Sequence, residues 1–162
     1  NTASLTDSLF VTTRVFDFLG ATETITVSDD GTAADGLSLI DSTLGAAVAY
    51  VSSGAVMLNA NAGSGADAFN VTGLDSLNTG DLTITGGSDD DVTFQTGVTE
   101  MNSGDLNVTA QTITVASGIS STSGNVSLTA IRNIVLSDGS SLTTVDGDMT
   151  LLANAGGATA GK

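Results

Sequence analysis

Five short segments of the chain repeat one alternation of apolar and polar residues. They are Gly54-Ala-Val-Met-Leu-Asn59, Gly80-Asp-Leu-Thr-Ile-Thr85, Gly104-Asp-Leu-Asn-Val-Thr109, Gly124-Asn-Val-Ser-Leu-Thr129 and Gly147-Asp-Met-Thr-Leu-Leu152. The opening glycines are spaced 26, 24, 20 and 23 residues apart, a mean of about 23. Alternation of period two predicts a short strand, because successive side chains of a strand point to opposite faces. The third and fifth residues of each segment then share a face: Val56/Leu58, Leu82/Ile84, Leu106/Val108, Val126/Leu128 and Met149/Leu151. All ten are aliphatic. The opposite face carries Met57/Asn59, Thr83/Thr85, Asn107/Thr109, Ser127/Thr129 and Thr150/Leu152, mostly short polar residues suited to an exposed pleat. A second alternating pair follows at Phe69/Val71, Val92/Phe94, Ile113/Val115 and Ile134/Leu136. Looser apolar positions come next at Leu74/Leu77, Val98/Met101, Ile119 and Leu142/Val145.

A unit of this size, with two or three strands of four to six residues, cannot bury its own apolar face. Stacking solves the problem. If each unit is one turn of a solenoid, equivalent strands lie about 4.8 Å apart and like side chains stack on like. Four to six buried aliphatics per coil, at about 1.5 to 3 kcal/mol each, hold such a stack. The sequence has no proline, which agrees, since an interior coil uses nearly every backbone N–H. Asn at glycine-flanked corners can take the left-handed conformation and bond along the stack. An antiparallel sandwich also uses alternating strands and frequent turns, but does not require five near-identical motifs at one spacing. The fold expected is therefore all-β, a parallel β-helix or β-solenoid with coils averaging about 23 residues.

Residues 54–152 carry the regular repeat, and residues 153–162 form a Gly/Ala-rich tail. Residues 1–53 fit the period less well. Phe10, Phe16 and Phe18, three of the five phenylalanines, gather there with Val11, Val15 and Leu19. Thr24-Ile-Thr-Val27 before Ser28-Asp-Asp-Gly31 reads as a strand and turn. Leu37–Val51 fits either a short helix or a coil strand. The segment is either a set of irregular first coils that cap the apolar end, or an edge that receives a neighbouring subunit or another part of a longer chain.

Composition narrows the function. Three Lys+Arg stand against 18 Asp+Glu, a formal net charge of −15, which excludes nucleic acid and anionic membrane surfaces as electrostatic partners. Cys, His, Trp and Pro are all absent, which removes thiol and imidazole catalysis, zinc sites and disulfides. No run of 18 apolar residues offers a membrane-spanning helix. The chain opens at Asn1 without a basic, then apolar, leader, as expected of a mature product or an excised segment.

Ser123-Gly-Asn-Val-Ser-Leu-Thr-Ala130, Asn133-Ile-Val-Leu-Ser-Asp-Gly139 and Asp146-Gly-Asp-Met-Thr-Leu-Leu152 resemble the repeats of filamentous-haemagglutinin-type and related giant bacterial surface proteins. Ile25–Gly31, Ala62–Asn70 and Gly86–Asp91 resemble the acidic turns of such giants. The resemblance covers residues 54–152 well and the rest loosely, and its motifs are low in complexity, so it speaks to an architecture and not to one protein. It implies a right-handed parallel β-helix at the cell surface or in a secreted fibre, with an adhesive or scaffolding role. No catalytic residue carries over.

The candidate chemistry lies in the turns. Ala62–Asn70 matches the calcium-binding nonapeptide Gly-Gly-x-Gly-x-Asp-x-apolar-x in all but its first glycine, and Gly86–Phe94 matches it less well. A β-roll needs consecutive nonapeptides, whereas these are 24 residues apart. Each falls after the first strand of its coil, where stacking places Asp67 near Asp89, Asp90 and Asp91. Carboxylates so gathered repel, and a calcium ion with oxygen ligands would relieve the repulsion. The plain alternative is a solvated acidic turn screened by salt. A polysaccharide lyase or glycosidase would use clustered aspartates too, but lyases of this shape resemble one another in placing a basic residue near calcium. Only Arg14 and Arg132 are offered here, and Arg132 suits a surface pairing with an aspartate of an adjacent coil. The Thr83/Thr85, Asn107/Thr109, Ser127/Thr129 face suits ice or glycan binding, although such residues also simply fit exposed strands. Sequons at Asn70, Asn107 and Asn125 matter only in a glycosylating pathway.

These features predict a non-enzymatic structural or adhesive segment of an extracellular fibre or cell-surface protein, which associates end to end with copies of itself or adjoining segments of a longer chain. Phe10, Phe16 and Phe18 at one end and Met149, Leu151 and Leu152 at the other are the expected contacts. A calcium-dependent carbohydrate-binding module that holds surface glycans is the alternative, with Tyr50 its one aromatic for sugar stacking. A polysaccharide-active β-helix enzyme comes third.

Overall fold

The computed structural model describes residues 5–60, 63 and 65–155. The described residues contain fifteen strands and no helix. The N-terminal region holds β1 (Leu5–Asp7), β2 (Thr13–Asp17), β3 (Thr24–Asp29), β4 (Leu37–Ser42) and β5 (Val48–Val51). The repeating coils follow: β6 (Ala55–Asn59) and β7 (Ala68–Val71); β8 (Leu82–Thr85), β9 (Asp91–Phe94) and β10 (Val98–Glu100); β11 (Leu106–Val115) and β12 (Gly118–Ser121); β13 (Val126–Leu136) and β14 (Ser141–Thr144). β15 (Met149–Leu152) opens one coil more.

These strands stack in parallel into three faces of a β-solenoid of about four turns. The first face runs β2, β6, β8, the first half of β11, the first half of β13, then β15, with Val56, Leu82, Leu106, Val126 and Met149 in one register. The second runs β3, β7, β9 and the second halves of β11 and β13, with Ile25, Phe69, Val92, Ile113 and Ile134 aligned. The third is β10, β12 and β14.

Inside, the predicted ladders form one apolar column. Leu58, Phe69, Ile84, Val92, Phe94, Leu106, Ile113, Val115 and Leu128 are buried without remainder. Where the first face turns into the second, small residues point inward in register at Ala60, Gly86, Ala110 and Ala130. A large side chain would not fit inside that bend. The third face differs from the sequence expectation by one position. Leu77, Val98 and Val145 face solvent, and Thr99 points inward in line with Ile119 and Leu142.

The repeating glycines have a steric cause. A Cβ on Gly80, Gly104, Gly124 or Gly147 would lie on the carbonyl oxygen of the corresponding glycine one coil earlier, well under 3.0 Å away, and one on Gly54 would meet the carbonyl of Val11. None of these five has a positive φ. Asn102 does, at 51°, and its Nδ2 donates to the carbonyls of Ser76 and Asn78 in the coil before, at 3.0 and 2.8 Å. This is the corner role expected of asparagine.

The N-terminal region is neither a helix nor a regular coil. β4 runs antiparallel to β3, β5 antiparallel to β4, and β1 parallel to β5, so the second face continues past β3 as a small mixed sheet. The helix alternative for Leu37–Val51 gives way to this return of the chain because Ser38, Ile40 and Tyr50 alternate inward. Of the tail, residues 156–162 lie outside the described residues.

Two substitutions test the account. Gly104→Ala is expected to destabilise by at least about 2 kcal/mol, the cost of forcing a methyl into a backbone contact, while Ser103→Ala beside it changes stability by less than about 0.5 kcal/mol. Urea denaturation midpoints of equal size would show the corner glycines to be ornamental. Thr99→Val removes a buried hydroxyl that has no hydrogen-bond partner, and is expected to stabilise by about 1 kcal/mol. A lower melting temperature for that variant would mean that the hydroxyl is satisfied.

Candidate functional site

The acidic turn between the first and second faces brings together part of the predicted set. Glu23, Asp67 and Asp90 occupy the register just before the second-face strands, one coil above another, and all three are buried. Asp89 and Asp91 lie beside them on the surface. The loops differ in length because the early coils turn this corner through extra residues, whereas β11 and β13 run through it with only a register shift after Ala110.

Backbone amides take up the carboxylates. The Glu23 N–H donates to Asp67 Oδ1 at 2.8 Å, and the Asp67 N–H donates to Asp90 Oδ1, also at 2.8 Å. The second Asp90 oxygen receives the Gly87 N–H at 2.5 Å, and Asp91 Oδ1 receives the Thr112 N–H at 3.1 Å. Ser42 Oγ donates to Glu23 Oε2. Among the described residues no three carboxylates converge as ligands of a metal ion. Ala62 and Ser64, two positions of the nonapeptide, lie outside the described residues. Burial pushes the Asp67 carboxyl above its ordinary value of 3.8, and the charges of Asp90, Glu23 and Asp89 push the same way, against the Glu23 N–H bond.

The arginines fall differently from expectation. Arg14 stands in the inward register that Val56 and Leu82 continue, and is 6% exposed. Its Nε pairs with Asp7 Oδ2 at 2.9 Å, Nη1 donates to the Val51 carbonyl at 3.2 Å, Nη2 donates to the Leu9 carbonyl, and the guanidinium lies 5.9 Å from the Tyr50 ring centroid. The Leu9 N–H and Arg14 hold the Asp7 carboxyl below its usual range. Arg14 therefore plugs the N-terminal end of the apolar column. Arg132 is exposed and makes no ion pair among the described residues, so the expected aspartate pairing does not form. Tyr50, expected as a sugar-stacking aromatic, is 2% exposed and packs on Phe16 with centroids 6.4 Å apart. It is a core residue.

The expected contact residues divide the same way. Phe16 and Phe18 close the column from one side, Phe18 meeting Phe69 edge to face at 5.9 Å, while Phe10 is 85% exposed. At the other end Met149, Leu151 and Leu152 are exposed along β15, which among the described residues pairs with β13 on one edge only.

A second polar ladder, which the repeated Gly-Asp signalled without explanation, runs outside the first face. Asp81 Oδ1 accepts the Asp105 N–H at 2.9 Å, Asp105 Oδ1 the Asn125 N–H at 2.7 Å, and Asn125 Oδ1 the Asp148 N–H at 2.9 Å. Each side chain therefore tethers the coil that follows it. No family model matches the sequence, and no curated protein or solved structure matches it either.

The acidic turn generates a pH prediction. A carboxyl whose folded pKa is raised contributes stability that is fully present below its unfolded value and is lost as pH rises through the folded value. Asp67→Asn keeps an oxygen for the Glu23 N–H and removes the charge, so it is expected to hold or raise stability at pH 7 and to flatten the gain that the parent shows toward the acidic side. Asp90→Asn retains only one acceptor for two N–H donors and is expected to lose about 1 to 3 kcal/mol. Thermal unfolding across pH 4 to 7 distinguishes them. Equal losses in the two variants at pH 7 would refute the assignment.

Proposed function

We propose that this protein is a non-enzymatic structural segment of an extracellular fibre or cell-surface protein, a rod that is extended by contact at a coil end. The observation that carries the reading is the β15 edge, which among the described residues pairs with β13 on one side only and leaves Met149, Leu151 and Leu152 exposed. An unpaired strand edge with apolar side chains is a pairing surface. The likeness of Ser123–Ala130 and Asp146–Leu152 to repeats of filamentous-haemagglutinin-type proteins supports the same role. The buried carboxylates support it too, since Asp67 and Asp90 hold backbone amides and present no acid-base pair to a cleft. The −15 charge keeps rods apart sideways while leaving the apolar end free to associate.

A cleft of 280 Å³ at the N-terminal end, lined by Phe16, Phe18, Leu19, Leu44 and Val48, holds no exposed aromatic stack for a sugar ring comparable with a lectin groove. Tyr50, the one tyrosine, is buried, which further weighs against the calcium-dependent carbohydrate-binding reading.

Sedimentation velocity over rising concentration tests the proposal. The parent is expected to associate through its C-terminal end, and Met149→Asp combined with Leu151→Asp to remain monomeric, with a melting temperature lowered by the charges placed over Val126 and Leu128. A parent that stays monomeric at high concentration and high salt would remove the end-contact role.

A further inference from the structure

The C-terminal end is specific about what it can receive. At four successive coils the inward residue after the corner, Val56, Leu82, Leu106 or Val126, donates its N–H to the carbonyl of Asp81, Asp105, Asn125 or Asp148 in the following coil, at 2.8 to 2.9 Å. Met149 is fifth in this register, so its N–H points beyond β15. Asp148 is fourth in the ladder of Asp81, Asp105 and Asn125, each of which accepts the N–H of its counterpart one coil later. Gly147 presents its carbonyl where each earlier glycine carbonyl excludes a Cβ from the next coil.

These three groups together describe a complement. It is a parallel strand that opens on glycine, follows with a residue whose N–H meets the Asp148 carboxylate and whose carbonyl meets the Met149 N–H, and then sets apolar residues on Met149 and Leu151. The N-terminal strand of a second copy is a poor match. Register places Thr12 at the glycine position, where its Cβ would meet the Gly147 carbonyl, and Arg14 at the first apolar position, where it is already bound to Asp7 and the Leu9 and Val51 carbonyls. Thr12 is tolerated in its own coil because the steric conflict always falls on the later coil of a pair. The second face is also continued past β3 by β4, β5 and β1, which occupy the edge a preceding coil would need.

Resting on the reading of β15 as a contact end, we infer that its best-matched partner is a further Gly-Asp/Asn-led coil of this same repeat pattern, stacked in parallel, with the N-terminal coil of another copy the weaker match. End-to-end extension is then growth of one solenoid by added repeats. The N-terminal region continues the second face as a mixed sheet and ends the first face at β2 with Arg14 in the apolar register, whereas the other end keeps the repeat pattern and is a template.

Duplication of residues 133–155 immediately after Ala155, with residues 156–162 retained behind the duplicate, tests this in the full chain. The duplicate carries its own glycine, aspartate and β15 strand onto Gly147, Asp148 and Met149. Amide hydrogen exchange at the original Met149 and Leu151 is expected to slow by about 100-fold or more, because fraying ends exchange nearly freely and paired interior strands do not. A second version carries Thr in the duplicate at the place of Gly147, copying Thr12. It is expected to leave those amides as fast as in the parent, while the amides of Leu106 and Val126 stay protected and show that the original stack is folded. Equal protection by the glycine and threonine versions would overturn the corner rule and leave β15 as a contact end of broader specificity. Protection by neither would overturn both the rule and the reading of β15 on which it rests.

Discussion

The structure depends on how closely one coil can lie on the next at a single corner. At Gly80, Gly104, Gly124 and Gly147 the carbonyl of one coil occupies the space of a side chain in the coil above. That approach is what lets the first-face strands fall into register, Val56 on Leu82 on Leu106 on Val126, and it fixes which side chains stack inside. The apolar column supplies most of the stabilisation, but the column is non-directional and would accept a slipped register of similar size. Glycine at the corner and the small residues at Ala60, Gly86, Ala110 and Ala130 make the stack unique.

Polar groups are arranged around the same constraint. Outside the first face, Asp81, Asp105 and Asn125 each bind forward to the next coil, while at the second corner Asp67 and Asp90 each bind back to the coil before. A chain with so many carboxylates thereby uses several of them as backbone acceptors, where charge strengthens the hydrogen bond and offsets the cost of burial. Burial, with the charges of Asp90, Glu23 and Asp89 adding to it, holds the Asp67 carboxyl above its ordinary value. In the described structure two carboxylates of this turn, Asp67 and Asp90, brace the corner by accepting backbone N–H groups.

The two ends are chemically unequal. At one end Arg14, Asp7, Tyr50 and Phe16 form a half-buried ion pair beside packed aromatic rings, flanked by a sheet that turns antiparallel. The other end keeps its coil geometry, its aliphatic ladder and its ladder of side-chain acceptors up to the last described strand. Two ends that differ in this way suit the structural role proposed for the protein.

The alternation in Leu82–Thr85 or Val126–Thr129 was enough to identify strands, their inward faces and a solenoid of about 23 residues per coil. Local pleating and the need to bury a repeated face leave few other solutions. The same pattern did not set the phase of β10, where Thr99 and not Val98 points inward, because a three-residue strand carries too little alternation. It could not foresee Arg14 at an apolar register, Tyr50 in the core, or the return of Leu37–Val51 as two antiparallel strands. Those outcomes depend on partners distant in sequence, such as Asp7 and Val51 around Arg14. The acidic turn shows the same division: sequence placed Asp67 near Asp89, Asp90 and Asp91, but only the stacked backbone determined that Asp67 and Asp90 would face amide groups and that Asp89 would remain in solvent. Local periodicity is written in neighbouring residues, whereas the destination of a polar side chain depends on which backbone donors the folded stack leaves within its reach.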